Sequence, residues 1–124
     1  MKSYTDLEQS KRLAEILPLE SADFFWIIGH LHTDGPRYEI IRPRNEVSEV
    51  EKYWPCWSLS ALLGVLPSVI KRKGKRMFLT LEKAGAYNLY YKSPDRMDEF
   101  WETNEEPVDA CYEMILLLNK EGEL

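Results

Sequence analysis

From Pro107 to Leu118 the chain reads Pro-Val-Asp-Ala-Cys-Tyr-Glu-Met-Ile-Leu-Leu-Leu, and this stretch narrows the fold more than any other. Val108, Cys111, Tyr112, Ile115 and Leu118 recur at helical spacing, with Pro107 at a first-turn position where its missing N–H costs nothing. Met114, Leu116 and Leu117 fill most of the remaining circumference. A helix that is apolar nearly all round has no face to give to water, so it belongs in the middle of a domain. With 124 residues in all, the chain is long enough for one such core, and a single domain over 1–124 is expected.

A second block sets the partner for that helix. Pro55-Cys56-Trp57-Ser58 leads into Leu59, Leu62, Leu63 and Leu66 at i, i+3, i+4, i+7, and Pro67 stops the pattern, so Ser58 should cap a helix over 59–66. A first helix over about 5–17 is suggested by Thr5 and Glu8 in capping-box spacing and by Leu7, Leu13, Ala14 and Leu17 before Pro18. Residues 22–28 and 37–42 are aromatic and β-branched, and Thr33-Asp34-Gly35-Pro36 supplies turn chemistry between them. Residues 77–82 and 87–92 form a second expected hairpin around Lys83-Ala84-Gly85-Ala86, with Phe100 and Trp101 on a short edge strand. The charged run 42–52 reads as a loop or a short frayed helix. The expected architecture is α+β in the order α-β-β-α-β-β-α, with an antiparallel sheet of about four strands and helices packed on one face.

The helix bounded by Pro55-Cys56-Trp57-Ser58-Leu59 and Val65-Leu66-Pro67, with the terminal Pro107-Val108-Asp109-Ala110-Cys111-Tyr112-Glu113-Met114-Ile115, resembles a group of small uncharacterised proteins of phages and integrated mobile elements of gut bacteria. The likeness covers about a quarter of the chain. It implies a genomic context, a phage-related accessory protein, and carries no activity, cofactor or catalytic residue.

Composition excludes some classes of function. The formal net charge of −5 opposes non-specific attraction to phosphate backbones over the whole surface. No apolar run approaches the length needed to cross a bilayer, and Met1-Lys2-Ser3-Tyr4-Thr5-Asp6-Leu7-Glu8 lacks the core of a signal peptide, so a cytoplasmic protein is expected. Cys56 and Cys111 stand among apolar residues without C-x-x-C spacing and read as reduced, buried thiols. There is no phosphate loop, dinucleotide glycine fingerprint, nucleophile elbow or zinc-protease helix, so an enzyme would need a site with no sequence signature, and no cofactor is expected.

Four features remain as candidates for function. The segment Tyr53-Trp54-Pro55-Cys56-Trp57 is dense in rings, and Tyr53, Trp54 and Trp57 are the expected contacts for a host or phage protein partner. Lys71, Arg72, Lys73, Lys75 and Arg76 surround Gly74 and offer a phosphate or nucleic-acid contact, with Tyr87 or Tyr90 nearby for stacking; a solvated loop is the plainer explanation. His30 and His32 would point to one side of a strand, as a metal site requires, but lack a third ligand in sequence and fit an exposed turn better. Asp95, Asp98, Glu99, Glu102, Glu105, Glu106, Asp109 and Glu113 make an acidic rim, and paired-carboxylate chemistry would require burial that the sequence does not signal.

Overall fold

The computed structural model describes residues 1–30, 35–48, 53–96 and 99–124. The α+β class holds. Helices α1 (Leu7–Ala14), α2 (Leu59–Val65) and α3 (Pro107–Lys120) accompany two antiparallel sheets. Strands β1 (Phe24–His30), β2 (Arg37–Pro43) and β3 (Tyr53–Cys56) form the first, in the order β2-β1-β3. Strands β4 (Val69–Arg72), β5 (Lys75–Ala84), β6 (Ala86–Lys92) and β7 (Glu99–Asn104) form the second, in the order β4-β5-β6-β7. Among the described residues no helix is long and apolar enough to cross a membrane.

The expected strands therefore divide between two sheets, joined by two strands that composition had hidden. Strand β3 carries Pro55, which cannot donate to a ladder and is tolerated because β3 lies at the edge of its sheet. Strand β4 ends in Lys71-Arg72, residues poor in β-propensity, and is held by pairing Lys71 with Arg76 and Arg72 with Lys75 across the Lys73-Gly74 turn. Both turn residues have positive φ, 54° and 76°, the geometry that matches a two-residue hairpin to the twist of its strands.

Helix α3 is the centre of the core. Val108, Ala110, Cys111, Met114, Ile115 and Leu118 are all fully buried against Leu62, Ile70, Met77, Leu89, Tyr91 and Phe100 from α2 and the inner face of the four-stranded sheet. The Tyr91 hydroxyl, buried with its ring, donates to Pro67 O at 2.6 Å.

Helix α1 begins one residue later than the Thr5–Glu8 spacing suggests. Asp6 is its N-cap, accepting from Gln9 N–H at 2.8 Å, while the Gln9 side chain accepts from Asp6 N–H at 3.1 Å. Thr5 serves instead as a buried clasp. Its Oγ1 lies 2.7 Å from Ser10 Oγ and accepts from Trp57 N–H at 3.1 Å, and its own N–H donates to Trp57 O at 3.0 Å. The helix ends at Ala14, and Leu17 enters the core after the last turn. At the other end of β1, Gly29 faces Tyr38, whose hydroxyl oxygen would sit 2.6 Å from any Cβ there, so the ring packs where only glycine leaves room.

Candidate nucleic-acid interface

One face of the four-stranded sheet is covered by α3; among the described residues the other is open, with Lys71, Arg76, Phe78 and Trp101 exposed. Register fixes what stands on each side, because side chains alternate along a strand and partners across a ladder share a face. Met77, Leu79, Leu89, Tyr91 and Phe100 point inward and pack in the core. The residues between them point outward in rows: Lys71 with Arg76; then Val69, Phe78, Lys92 and Glu99; then Thr80, Tyr90 and Trp101; then Glu82, Asn88 and Thr103.

Three aromatic rings therefore stand on the open face. Phe78 is 55% exposed and Trp101 38% exposed, while Tyr90 is half-buried by its neighbour. The Tyr90 and Trp101 rings stack across the β6–β7 ladder with centroids 4.7 Å apart and planes 10° from parallel. Lys92 Nζ lies 4.4 Å from the Trp101 centroid and 5.1 Å from that of Tyr90, within cation–π range of both. Thr103 Oγ1 accepts from Trp101 Nε1–H at 2.8 Å and donates to Asn88 Oδ1 at 2.8 Å, which fixes the indole on the sheet.

The structure splits the cationic hairpin. Lys71 and Arg76 stand on the open face and have no ion-pair partner among the described residues. Arg72 and Lys75 turn the other way. Arg72 pairs with Glu121 at 3.6 Å and lies 5.1 Å from the Phe100 ring centroid, and Lys75 pairs with Asp95 at 2.5 Å. Lys73 occupies the turn. The five cations offered as a phosphate or nucleic-acid contact therefore do not share one surface, since antiparallel pairing sends alternate side chains to opposite faces. Tyr87 and Tyr90 also separate: Tyr90 is outward, and Tyr87, three residues earlier on the same strand, points to the opposite face, where its hydroxyl reaches Met1 Sδ at 3.6 Å.

The ring-dense segment does not form an exposed patch. Trp57 is 0% exposed, with Nε1–H donating to Ser21 Oγ at 2.9 Å, so the reading of this residue as a partner contact is corrected: it is core. Tyr53 is half-buried edge-on against Phe25, with centroids 4.3 Å apart. Only Trp54 remains on the surface, 40% exposed and partly overlain by Lys11 Nζ at 5.7 Å. His30 is exposed and its Nδ1 lies 3.1 Å from Gly35 O; His32 lies outside the described residues.

The carboxylates disperse. Asp98 lies outside the described residues. Glu99 faces Lys92 at 4.0 Å on the open side, whereas Glu102 points inward, its pKa raised by burial and by the nearby Glu113. Glu105 and Glu113 are exposed. Glu106 accepts from Lys2 N–H at 2.7 Å. Asp109 accepts from Lys2 Nζ and from Gln9 Nε2, both at 2.8 Å. Burial acts to raise the Asp109 pKa, but those two hydrogen bonds and the Lys2 charge outweigh it and hold the pKa below its usual value. These contacts tie the N-terminus to the first turn of α3. Among the described residues no three His, Cys, Asp or Glu side chains are grouped to hold a metal ion.

Thiol chemistry has no support. Burial pushes Cys56 up to about 11, against hydrogen bonds from Thr5 and Ser10 that act the other way, and burial alone pushes Cys111 up to about 12. Both stay protonated at neutral pH. No protein-family model matches the chain, and neither do any curated protein or solved structure.

Apart from Tyr90, the rings of this face are not set off from core aromatics by composition. The usable signal was period 2: Phe78 alternates with Met77 and Leu79, and Tyr90 and Lys92 alternate with Leu89 and Tyr91. Strands apolar on both sides leave one set of rings for something outside the core.

Proposed function

We propose that this chain is a nucleic-acid-associated accessory protein, of the phage-like setting its sequence resemblance implies, and that it binds through the open face of the four-stranded sheet. The observation that carries this reading is the convergence of Lys71, Arg76 and Lys92 with Phe78, Tyr90 and Trp101 on one uncovered surface. Cations supply attraction to phosphates; exposed rings supply faces on which bases stack. A net charge of −5 does not oppose this locally, because the open face carries three cations in its rows against Glu82 and Glu99. Attraction to phosphates decays over about 10 Å at 0.1 M salt, so the nearest charges decide.

Salt dependence is the test. At about 50 mM salt a fluorescently labelled oligonucleotide should bind, with log K falling by roughly 2 to 3 per decade of salt if about three phosphates are neutralised. Lys71→Glu with Arg76→Glu should weaken binding strongly and flatten that slope by about 2. Absence of binding at about 50 mM salt refutes the proposal.

A further inference from the structure

We infer that the occupant of the open sheet face is a single strand of nucleic acid with its bases unstacked, an inference that rests on the nucleic-acid reading above. A duplex has no use for this surface. Its base faces are sealed within the stack, and its major groove admits a helix or a two-stranded ribbon but not the face of a four-stranded sheet. Phosphates alone would engage Lys71, Arg76 and Lys92, leaving Phe78 and Trp101 as exposed apolar rings with nothing to bury. Unstacked bases account for both halves of the site, since every base has a π-face and every linkage a charge.

The spacing of the rings selects the same ligand. Phe78 stands opposite Lys92, and Tyr90 follows two residues from Lys92 on β6, so Phe78 and the Tyr90–Trp101 stack are diagonal neighbours on the sheet. Diagonal neighbours are separated by about 7–8 Å. Successive bases of a B-form strand rise by only about 3.4 Å, so a strand that places adjacent bases on both platforms must be extended and unstacked. Lys92 stands in the row of Phe78 with its ammonium reaching the Tyr90 and Trp101 rings, so a cation lies beside both platforms for the linking phosphate, and Lys71 with Arg76 continues the cationic track one row beyond Phe78. Along the face, the Lys71–Arg76 row is followed by a row that holds Phe78 and Lys92, and then by the Tyr90–Trp101 row. Glu99 beside Lys92 and Glu82 beyond Tyr90 close the track, which limits the site to about two or three nucleotides in contact.

The test titrates a labelled dT oligonucleotide of about 12 nucleotides, the matching U oligonucleotide and a duplex of equal length at about 50 mM salt, reading anisotropy and tryptophan emission. The single strands should bind at least about tenfold more tightly than the duplex and quench tryptophan emission, with dT and U alike, because rings and phosphates are common to both. Phe78→Ala and Phe78→Leu should each lose about tenfold in affinity for the single strands with an unchanged melting temperature, the leucine showing that a ring and not apolar bulk is needed. Glu99→Gln should tighten binding by releasing Lys92. A duplex that binds as tightly as the single strands, or unchanged affinity in both Phe78 variants, overturns this inference while leaving the nucleic-acid reading in place. Failure of all three ligands to bind removes both, and so does self-association through Phe78 that no oligonucleotide displaces.

Discussion

Replacing Thr5 with valine keeps the shape of the side chain and deletes only its hydroxyl, which tests the clasp that joins the N-terminus to the core. Thr5, Ser10 and Trp57 are all fully buried, so water does not replace a lost partner. The Trp57 N–H would lose the acceptor it now has at 3.1 Å, and Ser10 Oγ the partner at 2.7 Å. A buried polar group left unpaired costs about 1–3 kcal/mol. Ser10 has a fallback, because a helical serine can turn to the carbonyl four residues earlier; the amide of Trp57 has none. The expected loss is about 2 kcal/mol, a large share of the 5–15 kcal/mol that holds a typical domain. Thr5→Ser keeps the hydroxyl and loses one methyl, for about 1 kcal/mol. Urea denaturation followed by tryptophan emission, with unchanged slope, reads both variants. A Thr5→Val protein as stable as the parent, or more stable than Thr5→Ser, refutes the clasp.

Further expectations concern titration and access. Asp109→Asn should cost about 1 kcal/mol at neutral pH by removing the charge that Lys2 pairs with while keeping an acceptor oxygen; since the native Asp109 pKa is lowered, that contribution is complete above about pH 4 and is lost as pH falls through the native value, so parent and variant should converge in acid. Glu102 has the opposite sign: its raised pKa means that the charged form burdens the fold, so Glu102→Gln should stabilise the protein near neutral pH and lose its advantage as pH is lowered, which equilibrium denaturation at several pH values reads directly. Cys56 and Cys111 should resist thiol reagents at pH 8 until denaturant is added; fast labelling of the native protein would contradict their burial.

What was legible in the sequence was whatever followed from one segment alone. The all-round apolarity of residues 107–118 announced a central helix, and Ser58 before a leucine face announced α2, because burial and capping are local chemistry. The two short strands were hidden for reasons that only their neighbours remove. Pro55 argues against a strand unless the strand lies at an edge, and Lys71-Arg72 pairs only because Lys73-Gly74 turns the chain back on itself. For the cap of α1, Thr5-Glu8 and Asp6-Gln9 offer equally good spacing, and burial of Thr5 against Trp57 decides for Asp6. For the site, sequence supplied the cationic run and Tyr90, but not the sides on which they fall. That needs register: Phe78, Lys92 and Trp101 meet Tyr90 only across three strands, while Trp57, as aromatic as any of them, goes to the core.

The proposed function places the ligand on the open face of β5, β6 and β7. Backbone amide shifts recorded while a dT oligonucleotide is added test it most directly. Phe78, Tyr90, Lys92 and Trp101 should move together, with Lys71 and Arg76 following, while Lys11 and Trp54 stay still. Shifts gathered around Trp54, or none on β5, β6 and β7, would contradict the account.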